Sequence, residues 1–209
     1  MPLTPPDRPP DPVRQLSLFG AEAADPSVAD LAGLLTGPGE VFRMGGTARL
    51  SIVVDAAWRV HVLVAELARR GLAASWEATP DRRHLVRTSY TSTLAPLAVA
   101  WLHDPPTPAA VKRPPAGFHL NGRRLRLWVA AAGTATPPGF LLRLGLDGEA
   151  CQERVGAALS AVGLPAALLD APAGGPAYRI TGRRRLARLA DLIGDPPTAA
   201  PPSDWPPRP

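Results

Sequence analysis

Cysteine is nearly absent: Cys151 is the single one, so no disulfide can form within the chain and no multi-cysteine zinc site can be built. Four histidines, His61, His84, His103 and His119, are scattered with no acid or cysteine at ligand spacing, which argues against a metal site. There is no phosphate-binding glycine loop and no nucleophile elbow, so nothing suggests a cofactor or the common covalent hydrolase chemistry. No apolar run approaches the roughly 20 residues of a membrane span. The N-terminus, Met1-Pro-Leu-Thr-Pro-Pro, lacks the basic stretch followed by an apolar one that marks a secretory signal. A cytoplasmic protein is the expectation. Lysine is as rare as cysteine, with Lys112 alone, so the 23 basic residues that outnumber 18 acids and give a net charge of +5 are almost wholly arginine. Arginine suits bidentate phosphate contacts, and a basic balance speaks to polyanionic partners rather than to fold.

Proline, by contrast, is abundant, with 27 among 209 residues. It is clustered at 1–14, 104–115 and 195–209, and these stretches read as extended, mobile segments. Between them lies an ordinary globular pool, and the chain as a whole is 45% hydrophobic. The expected organisation is an arm over 1–27, a first unit over 28–103, a Pro-rich linker over 104–118, a second unit over 119–197 and a disordered tail over 198–209.

The two units are related by a fixed shift. Leu50 and Leu142, Asp55 and Asp147, Leu67 and Leu159, Gly71 and Gly163, and Arg87 and Arg179 are each 92 residues apart. Predicted elements repeat at the same shift. The alternating stretch 48–55 reads as a strand. It is followed by a helix over 56–70 that Gly71 stops, short strands over 73–78 and 83–89, and a closing helix around 94–101. In the second unit the same order runs as 140–147, a helix over 149–162 stopped by Gly163, 165–169, 177–181 and a helix over 183–193. A helix precedes each set, over 28–35 and 123–132. The first strand of the second unit is hard to discern in TATPP.

A duplicated unit with this order resembles the LAGLIDADG fold. The signature is carried by Leu31-Ala-Gly-Leu-Leu-Thr-Gly-Pro-Gly39, and Leu125-Arg-Leu-Trp-Val-Ala-Ala-Ala-Gly133 follows its apolar pattern. Phe42-Arg-Met-Gly-Gly, LRLWVAAAGTATPP and YRITGRRRLARLADLIG resemble more closely the N-terminal region of the WhiA family of bacterial sporulation regulators. The resemblance spans about 28–196. It implies an α+β fold of two pseudo-symmetric repeats that form a saddle-shaped antiparallel sheet with helices on one face.

In active endonucleases of that family, the eighth signature position of each copy is a carboxylate holding divalent metal beside the scissile phosphate. The corresponding residues here are Pro38 and Ala132, neither of which can ligate a cation. The resemblance therefore implies a non-catalytic protein with no cofactor, as WhiA itself has lost these acids. Glu40 is the nearest substitute for a residual nuclease.

Alternation along the strands turns Leu50, Ile52 and Val54, and likewise Leu142, Leu144 and Leu146, towards the helices. That leaves Arg49, Arg87, Arg143 and Arg179 to line one outward surface, a candidate face for double-stranded DNA through phosphate contacts. The run Arg183-Arg184-Arg185 opens a helix, where positive charge opposes the dipole. No helix-turn-helix follows the second repeat, although the WhiA family reads DNA through one.

Within the arm, Gln15-Leu16-Ser17-Leu18-Phe19 resembles the motif by which bacterial proteins bind the DNA polymerase sliding clamp. Leu18 and Phe19 supply apolar bulk for a preformed pocket, Gln15 an orienting amide, and Ser17 stays small and polar. Trp205 is a second apolar anchor in the tail. The sequence thus points to a clamp-tethered adaptor in replication or repair, cytoplasmic at the nucleoid. A WhiA-like regulator without its helix-turn-helix is the alternative, and a membrane partner is excluded.

Overall fold

A computed structural model describes residues 20–21, 25–103, 111–145, 149–170 and 176–206. The clamp-motif residues Gln15, Leu16, Ser17, Leu18 and Phe19 and the inward candidate Leu146 lie outside them.

The first unit opens with a 3-10 turn, Val28–Leu31, that runs into helix α1, Ala32–Thr36. Asp30 sets the tight start, because its Oδ2 accepts the Ser27 N–H at 2.8 Å. Strands β1, Gly39–Met44, and β2, Thr47–Val54, form a hairpin around Gly45-Gly46, where Gly45 has a φ of 58°. Helix α2, Ala57–Ala68, strands β3, Ala74–Ala78, and β4, His84–Thr88, and helix α3, Ala95–Trp101, complete the unit. Two-residue strands β5, Leu102–His103, and β6, Val111–Lys112, pair beyond it. The second unit repeats the order as α4, Gly122–Ala132, β7, Gly133–Thr136, β8, Gly139–Arg143, α5, Glu149–Ala161, β9, Ala167–Leu169, β10, Ala177–Thr181, and α6, Arg183–Ile193.

The architecture is α+β, with two antiparallel four-stranded sheets ordered β1-β2-β4-β3 and β7-β8-β10-β9. Each repeat contributes one of the two sheets. The hairpin corners, Met44 to Thr47 and Thr136 to Gly139, are 92 residues apart, whereas Gly39 and Gly133, which open the first strands, are 94 apart. The second hairpin is therefore two residues shorter, which is why its first strand was hard to see in the sequence. Both long helices that precede a third strand end alike: Leu72 N–H reaches Leu67 O at 3.1 Å and Leu164 N–H reaches Leu159 O at 2.9 Å. Gly71 and Gly163 sit at φ of 71° and 81° to allow that closure.

Inward positions behave as the alternation requires. Leu50, Ile52, Val54, Leu142 and Leu144 are buried, whereas Arg49, Ser51 and Val53 are only partly covered. A single apolar core runs through both units and includes Leu34, Leu50, Trp128, Phe140 and Ile193. The units meet where α1 crosses α4 at backbone distance. A Cβ on Gly33 would lie 2.0 Å from Arg124 O, and one on Gly37 would lie 2.9 Å from Trp128 Cδ1.

Those parts of the Pro-rich segments that the structure describes are packed against the fold. In the tail, Trp205 is buried with its indole N–H directed at Gly194 O (3.4 Å), and Trp58 Nε1 donates to Asp204 Oδ2 (3.1 Å). A large indole with an apolar surface to cover outweighs the surrounding prolines, which lose little entropy when fixed. In the linker, β6 uses the proline-free Val111-Lys112, and Phe118 packs edge-on against Trp101 with ring centroids 5.5 Å apart. In the arm, Ala21 is buried and its N–H donates to Leu192 O at 2.8 Å, so this part of 1–27 is seated on α6.

Candidate nucleic-acid interface

Pro38, in the turn between α1 and β1, and Ala132, the last residue of α4, both line a cavity of 160 Å³ between the repeats. Asp55, Arg59, Arg83 and Arg143 line the same cavity. A centre where carboxylates would attract metal is here flanked by three guanidinium groups. Among the described residues no group of three histidine, cysteine or acidic side chains is placed to hold a metal ion.

Arg59 is held in place as part of the fold. It is buried, and donates from Nη1 to Val129 O (3.2 Å) and Ala130 O (3.0 Å) and from Nη2 to Gly133 O (2.7 Å). It thereby sets a positive charge on the carbonyls at and just beyond the end of α4. Asp55 Oδ1, 2.9 Å from Nε, and Asp204 Oδ2, 3.5 Å from Nη2, balance its charge. Lys112 does the same for the other repeat: its Nζ donates to Gly37 O (3.2 Å) and Gly39 O (2.5 Å), just past α1. Lys112 also pairs with Glu40 at 3.2 Å. The acid nearest the vacant signature position is thus matched to a buried cation, which disfavours its use as a metal ligand.

The four candidate arginines fall on the outward faces of the two sheets. Arg49 on β2 and Arg87 on β4 flank Ser51, which is the register partner of Arg87. Arg143 on β8 and Arg179 on β10 occupy the other sheet, where Arg179 faces Leu141 and Arg143 faces Ala177. This pairing is displaced by two residues relative to the first repeat, an even step that keeps each side chain on its face. Arg87 is engaged in an exposed pair with Glu77 at 3.3 Å, a contact of small energetic weight. Arg49 Nε and Arg179 Nε are buried without a hydrogen-bond partner among the described residues. A buried donor without a partner carries a desolvation cost. Arg183, Arg184 and Arg185 are exposed at the start of α6.

Sequence reasoning missed several charged residues. Arg70, buried at the end of α2, bonds Glu66 (2.7 Å) and Asp30 (3.1 Å), tying α2 to the start of the first unit. Arg59 and Lys112 were equally unmarked, since each meets partners 70 or more residues away. Arg124, at the edge of an apolar groove of 390 Å³ between α1, α3 and the segment before α4, was passed over as well. Burial pulls its guanidinium below the usual arginine range, against the opposing charge of Asp30.

The architecture defines a LAGLIDADG-like fold of two repeats. No protein-family model and no curated protein sequence matches the chain; the likeness is one of structure. The homing endonuclease I-WcaI, solved bound to its DNA recognition sequence, superposes with a TM-score of 0.59 at 11% identity, over 85% of this chain and 81% of that one. The N-terminal LAGLIDADG domain of DUF199/WhiA gives 0.54 at 12% identity, over 80% and 82% of the two chains. Full-length DUF199/WhiA from Thermatoga maritima gives 0.54 at 11% identity, over 79% of this chain and 54% of that longer one. At such identities the likeness is of fold.

Proposed function

We propose that this protein is a non-catalytic DNA-binding adaptor that is tethered to the DNA polymerase sliding clamp. The observation that carries the DNA-binding half is the character of the seam: Pro38 and Ala132 stand at the two signature positions, while Arg83 and Arg143 line the cavity beside them. The outward arginines Arg49, Arg87, Arg143 and Arg179 extend that positive surface across both sheets. Such a face attracts phosphate without metal and offers no carboxylate pair to activate water.

Gln15-Leu16-Ser17-Leu18-Phe19 supplies the second contact. A short segment that orders on binding gives modest affinity, on the order of micromolar. Because the clamp encircles DNA, a weak motif contact and a weak saddle contact reinforce one another through effective concentration. Replication or repair at the nucleoid is the setting this implies. Calorimetric titration against the sliding clamp of the same bacterium tests the tether: binding by the intact chain, lost in Leu18→Ala/Phe19→Ala, supports it, and equal binding by both contradicts it.

The structural likeness to the WhiA domain favours a second reading, a transcription regulator that works with a separate DNA reader. Recruitment to specific promoters that survives deletion of residues 1–20 distinguishes it.

A further inference from the structure

The two repeats differ sharply on their outward faces. In the first, Phe42 is 44% exposed, Met44 59% and Tyr90 36%. The guanidinium carbon of Arg49 sits between two of these rings, 5.3 Å from the Phe42 centroid and 5.1 Å from that of Tyr90. Phe42 is the register partner of Arg49 on the neighbouring strand, so the ring and the cation project from the same side of the sheet. At the shift of 92 residues, the second repeat carries Thr134, Thr136, Leu141 and Gly182 in place of Phe42, Met44, Arg49 and Tyr90. The fold of the second repeat is thus built without aromatic rings at these places.

From this asymmetry we infer that the outward face of the first sheet binds single-stranded DNA, stacking unpaired bases on Phe42 and Tyr90 while Arg49 between them takes a phosphate. Flat rings beside a cation are the pairing that unpaired nucleotides require, since each base offers a π-face and each link a negative charge. In a duplex those π-faces are stacked on one another and beyond the reach of a side chain lying on a sheet. Arg49 itself is only partly covered, so its guanidinium can offer a charge-assisted contact to a phosphate at the edge of the two rings. The net charge of +5 favours the same polyanion. Duplex contacts through Arg143 and Arg179 on the other sheet would then place the protein at a junction of single- and double-stranded DNA. The inference rests on the reading that these faces bind DNA.

Fluorescence anisotropy of the full chain tests it with two labelled probes, an oligothymidine of about 20 nucleotides, longer than the ~4–16 that such sites cover, and a duplex of equal length. Phe42→Ala/Tyr90→Ala is expected to weaken oligothymidine binding about tenfold or more and to leave duplex binding within about twofold. Unchanged duplex binding also serves as the control that the variant is folded. In Phe42→Trp the introduced indole is expected to retain oligothymidine affinity and to be quenched on binding. Equal losses on both probes, or no loss on oligothymidine, overturn the inference. Duplex binding without oligothymidine binding overturns it while leaving the DNA-binding reading intact, and binding of neither probe overturns both.

Discussion

Arginine at single positions does two different kinds of work here. Arg59 and Arg70 are buried and bonded to carbonyls and carboxylates within the fold, whereas Arg49 and Arg179 each keep a buried Nε without a partner among the described residues. The first kind governs stability. Arg70→Met leaves the buried Asp30 without its cation and Glu66 with Arg69 alone, so we expect a loss of about 3 kcal/mol, read from urea denaturation midpoints. Tyr178 gives a pH signature of its own. Its phenol is buried, donates to Gln152 O at 2.6 Å, and burial raises its pKa above the ordinary 10.0. The folded state therefore favours the protonated phenol. Its contribution is complete below the unfolded value and declines as pH rises from about 10 through the folded pKa. In a Tyr90→Phe background, ultraviolet titration of the remaining phenol is expected to show ionisation only above that value, and Tyr178→Phe is expected to flatten the alkaline loss of stability. Of these partners Glu66 and Asp55 stand one helical turn from their arginines, whereas Asp30, Gly133 and Gln152 are 26 or more residues from the side chains they meet and could not be read from the sequence.

Secondary-structure elements were more legible than their partners. The alternation of Leu50, Ile52 and Val54 gave β2 its correct buried face, and Gly71 and Gly163 marked helix ends that closed as foreseen. What stayed hidden were elements too short to show a period, the two-residue strands β5 and β6, and β7, shortened by two residues, while the helix expected over 28–35 opens as a 3-10 turn, Val28–Leu31. Composition also misled, because the prolines around Trp205 masked an anchor that the core covers. The α1 and α4 crossing depends on the missing side chain of Gly33. A methyl there would lie 2.0 Å from a backbone oxygen, which cannot swing aside as a side chain can. Gly33→Ala is therefore expected to force the helices apart and destabilise the protein by about 1–3 kcal/mol, read as a lowered thermal midpoint.

At the scale of the whole molecule, duplication explains both the fold and its asymmetry. The shift of 92 residues made the two units and their order readable from sequence, and the LAGLIDADG-like fold followed from that order. The seam was readable at Pro38 and Ala132, which do share a cavity, and Arg143 was marked as an outward arginine, but Arg59 and Arg83 were not, since Arg59 lies on α2 and Arg83 in the turn before β4. Two repeats with their helices fused into one core leave two outward faces, and these have diverged, one carrying arginine with aromatic rings and the other arginine with threonine and leucine. The central claim is that this surface binds DNA through phosphate contacts. It is tested most directly by the dependence of duplex affinity on salt, measured by anisotropy for the intact chain and for Arg143→Ala/Arg179→Ala. The account predicts that log affinity falls linearly with log salt and that the variant's slope is shallower by about one per arginine removed. An affinity insensitive to salt, or a slope unchanged in the variant, would contradict it.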